Sequence, residues 1–306
     1  MLSKQWMTIA STSLAPLAWG TTYVVTTKLL PTGRPLLDAT VRALPAGLIL
    51  LFLGRQLPQG IWWWRSFVLG ALNIGGFFAL LFVAATRLPG GVAATVGAIQ
   101  PMLVTVLAAR LVAERITRLR VISGLLGIVG VILVVNETTG RLDLIGVAAA
   151  LGAAMLMAIG IVLAKRWGQP ANPIVTTSWQ LVAGGFILLP MTLGVEGLPS
   201  FNSLTSRNVA GYSYLVVVGT VLAYTLWFRG IRRLPVSSVG FLGLLSPCMA
   251  VACGWLFLHQ VLALGQVMGV IIILGAVLSV NWEAQRRSVR PTRTSMPGEC
   301  CVSDND

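Results

Sequence analysis

Acidic residues are scarce in this chain: nine Asp and Glu stand against 22 Lys and Arg, and charged residues of either sign make up only 10% of its 306 positions. A soluble globular domain carries roughly 25%, so this chain is not built to face water on every side. Histidine occurs once, at His259, which excludes an HExxH motif and any two-His metal site. There are four cysteines. Cys248 and Cys253 lie inside an apolar run, where Cys behaves as a small hydrophobe, and Cys300-Cys301 sit in a polar tail; they form no disulfide framework. The sequence also lacks a GxSxG elbow, a Walker-type phosphate loop and a CxxC pair, so it does not read as an enzyme, and no cofactor is expected.

What it has instead is long apolar runs. The composition is 56% hydrophobic and the mean hydropathy is +0.85. Uncharged runs cover 5–27, 66–86, 90–109, 144–164, 208–228, 234–258 and 261–282. Each meets the roughly 20 residues that a helix needs to cross a bilayer core. Two shorter runs, 43–54 and 121–136, and a Pro-led run, 174–195, complete the set. The expected fold is therefore all-α, a polytopic membrane protein of ten transmembrane helices. The first run is long and shows no clear cleavage site, so it reads as a spanning helix and not a signal peptide. The second span must begin near Leu36, which draws Asp38 and Arg42 into its first turns as an i, i+4 ion pair.

The net charge of +13 does not point to nucleic acid, because the cations sit in the short links between spans. With the N-terminus inside, 16 of the 22 fall on the cytoplasmic side, and only Lys28, Arg34, Arg42, Arg87, Arg141 and Arg207 fall opposite. Both termini are expected to be cytoplasmic. Trp62-Trp63-Trp64 before Arg65 read as an interfacial aromatic anchor.

The chain also repeats itself. A shift of 146 carries Arg87-Leu88-Pro89 onto Arg233-Leu234-Pro235, Phe82 onto Phe228, Gly97 onto Gly243 and Pro101 onto Pro247. Earlier in each half, a shift of 137 carries Lys28 onto Lys165 and Leu44-x-Ala46-Gly47 onto Leu181-x-Ala183-Gly184. Residues 1–140 and 141–283 thus form two five-helix repeats, with 284–306 a disordered cytoplasmic tail. An odd number of spans per repeat inverts the second copy in the membrane, the arrangement that gives transporters two interconvertible states. Gly124, Gly127 and Gly130 in the fifth span present a small-residue face for close helix approach.

No acid falls in the middle of a span, which argues against a dedicated carboxylate relay for proton or sodium coupling. The candidate substrate-binding residues are polar-neutral or aromatic. Trp19, Thr22 and Tyr23 lie on the first span. Asn73 and Phe77, like Thr220 and Tyr224, stand at i, i+4 on the third and eighth. Gln100-Pro101 and Ser246-Pro247 are related by the repeat. A mid-helix Pro frees a backbone carbonyl one turn earlier, which is tolerated where it lines a cavity. Such a lining suits a small zwitterion or an aromatic metabolite. His259, at the outer end of the ninth span, reads as an interfacial residue.

Trp19-Gly20, Arg42, Pro101 followed by Glu114-Arg115-Ile116-Thr117, and in the second half Ala223-Tyr224 and Pro247, resemble the EamA-type branch of the drug/metabolite transporter superfamily. The resemblance covers residues 7–283. It implies ten helices, cytoplasmic termini and a central cavity formed chiefly by spans 3, 4, 8 and 9 with 1 and 6. It also implies export of amino acids or other small metabolites across a bacterial inner membrane. His259-Gln260 replace the Gly-Glu common in the family, so Glu114 is expected only as a helix-end partner of Arg110 or Arg118. The leading expectation is a metabolite exporter, with amino acids, aromatic ones included, as cargo. The alternatives are a proton-coupled exporter of drugs or toxic cations and, from another class, a channel or non-transporting scaffold. The expected partners are a small-molecule substrate and the lipid bilayer; the sequence does not fix the oligomeric state.

Overall fold

A computed structural model of the chain describes residues 2–31, 33–88, 96–135, 143–197, 204–258 and 262–289. His259, Gln260, Glu137, Pro89 and Cys300-Cys301 lie outside these. The described residues are helical, with no strand among them. The first rod is α1 (Leu2–Gly20) and α2 (Thr22–Leu29), broken at Thr21. Then come α3 (Pro35–Gly54), α4 (Trp62–Gly70) continuing through a π-turn at Ala71–Gly75 into α5 (Gly76–Arg87), α6 (Gln100–Leu111) and α7 (Arg118–Val135). The second half holds α8 (Leu144–Trp167), α9 (Pro173–Val195), and α10 (Ser206–Val216), which runs through a π-turn at Val217–Leu222 into α11 (Ala223–Arg233). It ends with α12 (Val236–Leu242), α13 (Leu245–Leu258) and α14 (Leu264–Val289).

Seven described stretches are long and apolar enough to cross a bilayer: Pro35–Gly54, Trp62–Ala84, Leu144–Trp167, Pro173–Val195, Ser206–Arg233, Val236–Phe257 and Leu264–Arg286. Helix also occupies the three other expected runs, as α1–α2, α6 and α7. Phe52, Ile122, Leu125, Ile271 and Leu278 are exposed on the outside, where only lipid tails would solvate them. The last helix continues to Val289, so part of the stretch assigned to a tail is helical; residues 290–306 lie outside the description.

Two helix pairs form the backbone of the bundle: α3 on α9, and α7 on α14. Both are drawn together by glycine. A Cβ on Gly47 would stand 2.7 Å from the Val182 amide nitrogen, and one on Gly269 would stand 2.5 Å from the Gly130 carbonyl oxygen. The expected glycine face of the fifth span is thus used, with Gly130 at the crossing. Buried hydroxyls bridge each pair, Thr40 to Thr192 at 2.6 Å and Ser123 to Ser279 at 2.9 Å. Small residues and interhelical hydrogen bonds replace the hydrophobic drive that lipid removes.

The remaining contacts come in twos. α5 packs on α8 as α11 packs on α1, and α6 packs on α8 as α13 packs on α1. The two π-turns begin 146 residues apart, at Ala71 and Val217. Helix breaks at Ala98-Ile99 and Gly243-Leu244 precede Pro101 and Pro247. Pro101 is therefore not a mid-helix residue, as expected, but the second residue of α6, where its missing N–H has no helical partner to lose. Pro247 is likewise in the first turn of α13.

Two expectations about charge are corrected. Asp38 and Arg42 make no ion pair: Asp38 accepts the Tyr212 hydroxyl at 3.0 Å, and Arg42 turns to α10–α11. Glu114 pairs with neither Arg110 nor Arg118. It accepts from Arg120 Nη1 at 3.2 Å and from the Val236 amide at 2.5 Å and the Ser237 hydroxyl, capping α12 from the other half of the chain. Glu196, just past the end of α9, caps α3 in the same way, taking the Leu36 and Leu37 amides at 2.7 and 2.8 Å. The Trp cluster opens α4, with Trp63 and Trp64 exposed and the Arg65 guanidinium over both Trp62 and Trp167.

Because Gly269 meets backbone, Gly269→Val is expected to cost about 1–3 kcal/mol through overpacking. Gly194→Ala, with open space around it, is the control. Thermal unfolding in detergent reads the difference, and equal midpoints for the two variants contradict this account of the crossing.

Candidate functional site

Each π-turn inserts an extra residue into a helix and so leaves a carbonyl without its usual partner. In the second half, the Gly219 carbonyl is put to use. It accepts Arg42 Nη2 at 3.0 Å and Trp19 Nε1 at 3.1 Å. Thr220 beside it accepts Arg42 Nε at 3.3 Å and gives its own proton to the Leu215 carbonyl. Arg42 also lies over the Phe78 ring, 5.3 Å from the centroid. A guanidinium 8% exposed within a spanning helix is held by a carbonyl, a hydroxyl and a ring, and not by an acid.

This cluster forms one wall of a central cavity of about 720 Å³, within the range of small-molecule sites. The cavity lies between the two halves. Trp19, Gly20 and Thr22 enter at the break between α1 and α2, Arg42 from α3, and Phe77, Phe78 and Leu81 from α5. Opposite them stand Tyr224 and Trp227 of α11, with Gly243, Ser246 and Pro247 at the break before α13; Gln100 and Pro101 close the equivalent break before α6. Met157 of α8 and Gln266 of α14 complete the ring of helices. Trp19 packs against Tyr224 and Trp227, each with centroids 5.1 Å away, and Phe77 against Phe78 at 5.3 Å.

Of the expected site residues, Trp19, Thr22, Phe77, Gln100, Pro101, Tyr224, Ser246 and Pro247 are brought together on this lining. Asn73 and Thr220 are not. Both are buried inside the π-turns, where Asn73 donates to Gln180 at 3.1 Å in space kept open by Gly160, and Thr220 braces Arg42. The side chain of Tyr23 lies outside the described residues. Arg42, Phe78 and Trp227 were missed as cavity residues. Two signals were available: Arg42 is a lone cation among apolar residues, and Phe78 falls on Tyr224 under the 146-residue shift.

A second, wider hollow of about 1070 Å³ opens at the end of the bundle where α1 begins. Lys4, Lys165, Arg229 and Arg233 face it, with Glu114 the one acid.

A multi-span helical protein whose broken helices surround a cavity at the junction of two halves is a membrane transporter in architecture. The model of the EamA-like transporter family matches residues 6–136 and 144–282, and the chain belongs to that family. It is 44% identical over 286 residues to protein PecM of Dickeya dadantii, across 92% of this chain and 95% of that one. Identity to a chloroplastic WAT1-related protein of Arabidopsis thaliana is 31%, over 86% of this chain and 67% of the relative. To the threonine/homoserine exporter RhtA of Salmonella typhimurium it is 25% over 223 residues, 71% of this chain and 72% of the relative. A crystal structure matched over 92% of this chain and 98% of its own shares the fold, with a TM-score of 0.79 at 19% identity.

The placement of Asn73 and Tyr224 predicts a split. Asn73→Ala removes a buried hydrogen bond and is expected to lower stability by about 1 kcal/mol with unchanged cargo affinity. Tyr224→Phe, which keeps the buried ring and removes only the hydroxyl, is expected to weaken cargo uptake severalfold at little change in melting point. Paired thermal and uptake measurements check this, and the reverse pattern would exchange their roles.

Proposed function

We propose that the protein exports small metabolites, amino acids and their aromatic members foremost, across a bacterial inner membrane by alternating access between two inverted five-helix units, 1–140 and 141–283. Ten helices span the membrane in this reading, both termini are cytoplasmic, and the wide basic hollow is the cytoplasmic vestibule. The observation that carries the proposal is the placement of the paired helix devices. Two helix breaks related by the internal repeat line the same central cavity, and so do Phe77 and Tyr224, which follow the two repeat-related π-turns in their helices. Irregular backbone at membrane depth is tolerated where it lines a cavity or is buried in protein, and repeat-related irregularities are the usual mark of a transport site. The name of RhtA as an exporter of two amino acids supports the direction and cargo class.

Counterflow of a labelled amino-acid panel in proteoliposomes, with and without an imposed pH gradient, tests the reading. The expected result is saturable flux that ignores the gradient, because the described acids lie at or near helix ends, engaged with named partners. Absence of saturable flux for amino acids and related metabolites would sink the proposal. Pro101→Ala and Pro247→Ala, which permit the helix to run through the break, are expected each to cut flux severalfold without loss of membrane insertion. Full flux in both removes the breaks from the mechanism.

A further inference from the structure

Resting on the transport reading above, we propose that the central cavity selects cargo by its carboxylate: Arg42 receives the anion, the aromatic walls receive the body, and organic cations are refused. Four observations converge on this. First, Arg42 carries the one charge on the described lining; no Asp, Glu, Lys or His is among those residues. Second, Arg42 is only partly used. Its Nε and Nη2 are tied to Thr220 and Gly219, and Nη1 makes no hydrogen bond to the described residues, so the two Nη1 N–H groups of a guanidinium buried in the cavity wall remain for a ligand. A carboxylate is the acceptor that such a fork matches.

Third, the neighbouring unmet groups are of the same kind. Thr22 Oγ1 and Trp227 Nε1 are buried without a partner among the described residues, and both residues line the cavity. The indole offers only a donor and the hydroxyl offers one as well. A buried polar group left unmet is costly, and cargo with acceptor oxygens is what would satisfy this wall. Fourth, the acid nearest in sequence, Asp38, is held by Tyr212 and makes no ion pair with Arg42. An ammonium entering the cavity would meet a cation that no carboxylate among the described residues contacts directly. The vestibule extends the same preference outward. Lys4, Lys165, Arg229 and Arg233 face it, and the carboxylate of Glu114 is engaged with Arg120 and the α12 terminus. Such a field raises the local concentration of anions.

A ligand ladder with a constant phenyl body tests the rule: 3-phenylpropionate, phenylalanine and 2-phenylethylamine, titrated against the full-length protein in nanodiscs by quenching of its tryptophan fluorescence. The two carboxylates are expected to bind at least tenfold tighter than the amine. Arg42→Gln is expected to erase that preference, and Arg42→Lys to keep its sign with weaker affinity. Equal or tighter binding of the amine by the wild type overturns the proposal, as does binding of none of the three, or an unchanged preference in Arg42→Gln. Should Arg42→Gln fail to insert, because Gly219 loses its partner, the wild-type ladder and Arg42→Lys decide alone. Phenylalanine counterflow in vesicles separates this from the export reading. Flux without charge preference in binding sinks carboxylate recognition and spares export. Charge-selective binding with no saturable flux of any panel compound sinks export and spares recognition.

Discussion

The structure turns on one hydrogen bond, from the Arg42 guanidinium to the carbonyl of Gly219. Burying a cation in a membrane-spanning bundle is expensive unless polar partners replace its water. An unbroken α-helix has no spare carbonyl to give, since each one is bonded to the amide four residues on. The π-turn at Val217–Leu222 supplies one, at Gly219. Trp19 uses the same oxygen, so α1, α3 and the α10–α11 rod are joined at a single point. The cavity wall, the aromatic cluster around Trp19 and the seam between the two halves all depend on that irregular turn.

Its counterpart in the first half is built differently. At the position 146 residues earlier stands Asn73, whose amide reaches Gln180 of α9. Under the repeat the two arrangements correspond: a polar side chain from the paired helix meets the π-turn in each. One meeting is between neutral amides buried away from the cavity, and the other brings a cation to its wall. The packing is paired, as the contacts of α5 and α6 on α8 and of α11 and α13 on α1 show. The chemistry is not. The two halves share a pattern of contacts, and the departure from it falls at the cavity wall.

How much of this was legible depended on which physical signal carried it. Helical, membrane-spanning character was written in run length and charge placement, and the duplication in Arg-Leu-Pro, Gly97 and Pro101 and their counterparts. The glycine face of the fifth span was readable because close approach needs small residues at helical spacing. Eight of the eleven expected site residues fall on the lining, because polar and aromatic residues at mid-span positions have few other uses. What failed was pairing. Asp38 and Arg42 stand at i, i+4, yet a carbonyl freed in another helix outcompeted the carboxylate, and no one-dimensional spacing rule foresees a π-turn. Glu114 was assigned to arginines on either side in sequence, whereas its main partners, Val236 and Ser237, are more than 120 residues away. Asn73 and Thr220 had the right depth and the wrong face, because the π-turn rotates the residues within it relative to a regular helix.

The scarcity of acids noted at the outset is resolved by where the described ones stand. Asp143 caps α8, and the amide of Gly146 together with that of Ile145 and the Arg87 guanidinium holds its carboxyl below the usual range. Glu196 caps α3 and Glu114 caps α12, each reaching from one half of the chain to a helix of the other, while Glu283 meets Arg120 and Thr117. At a helix N-terminus a carboxylate meets unsatisfied amides and the positive end of the dipole, so these positions return the most for each acid. Acids placed there are absent from the cavity. The guanidinium on its wall is therefore the one charge among the described lining residues, and the same allocation of acids that leaves it there stitches the two halves together through Glu114 and Glu196.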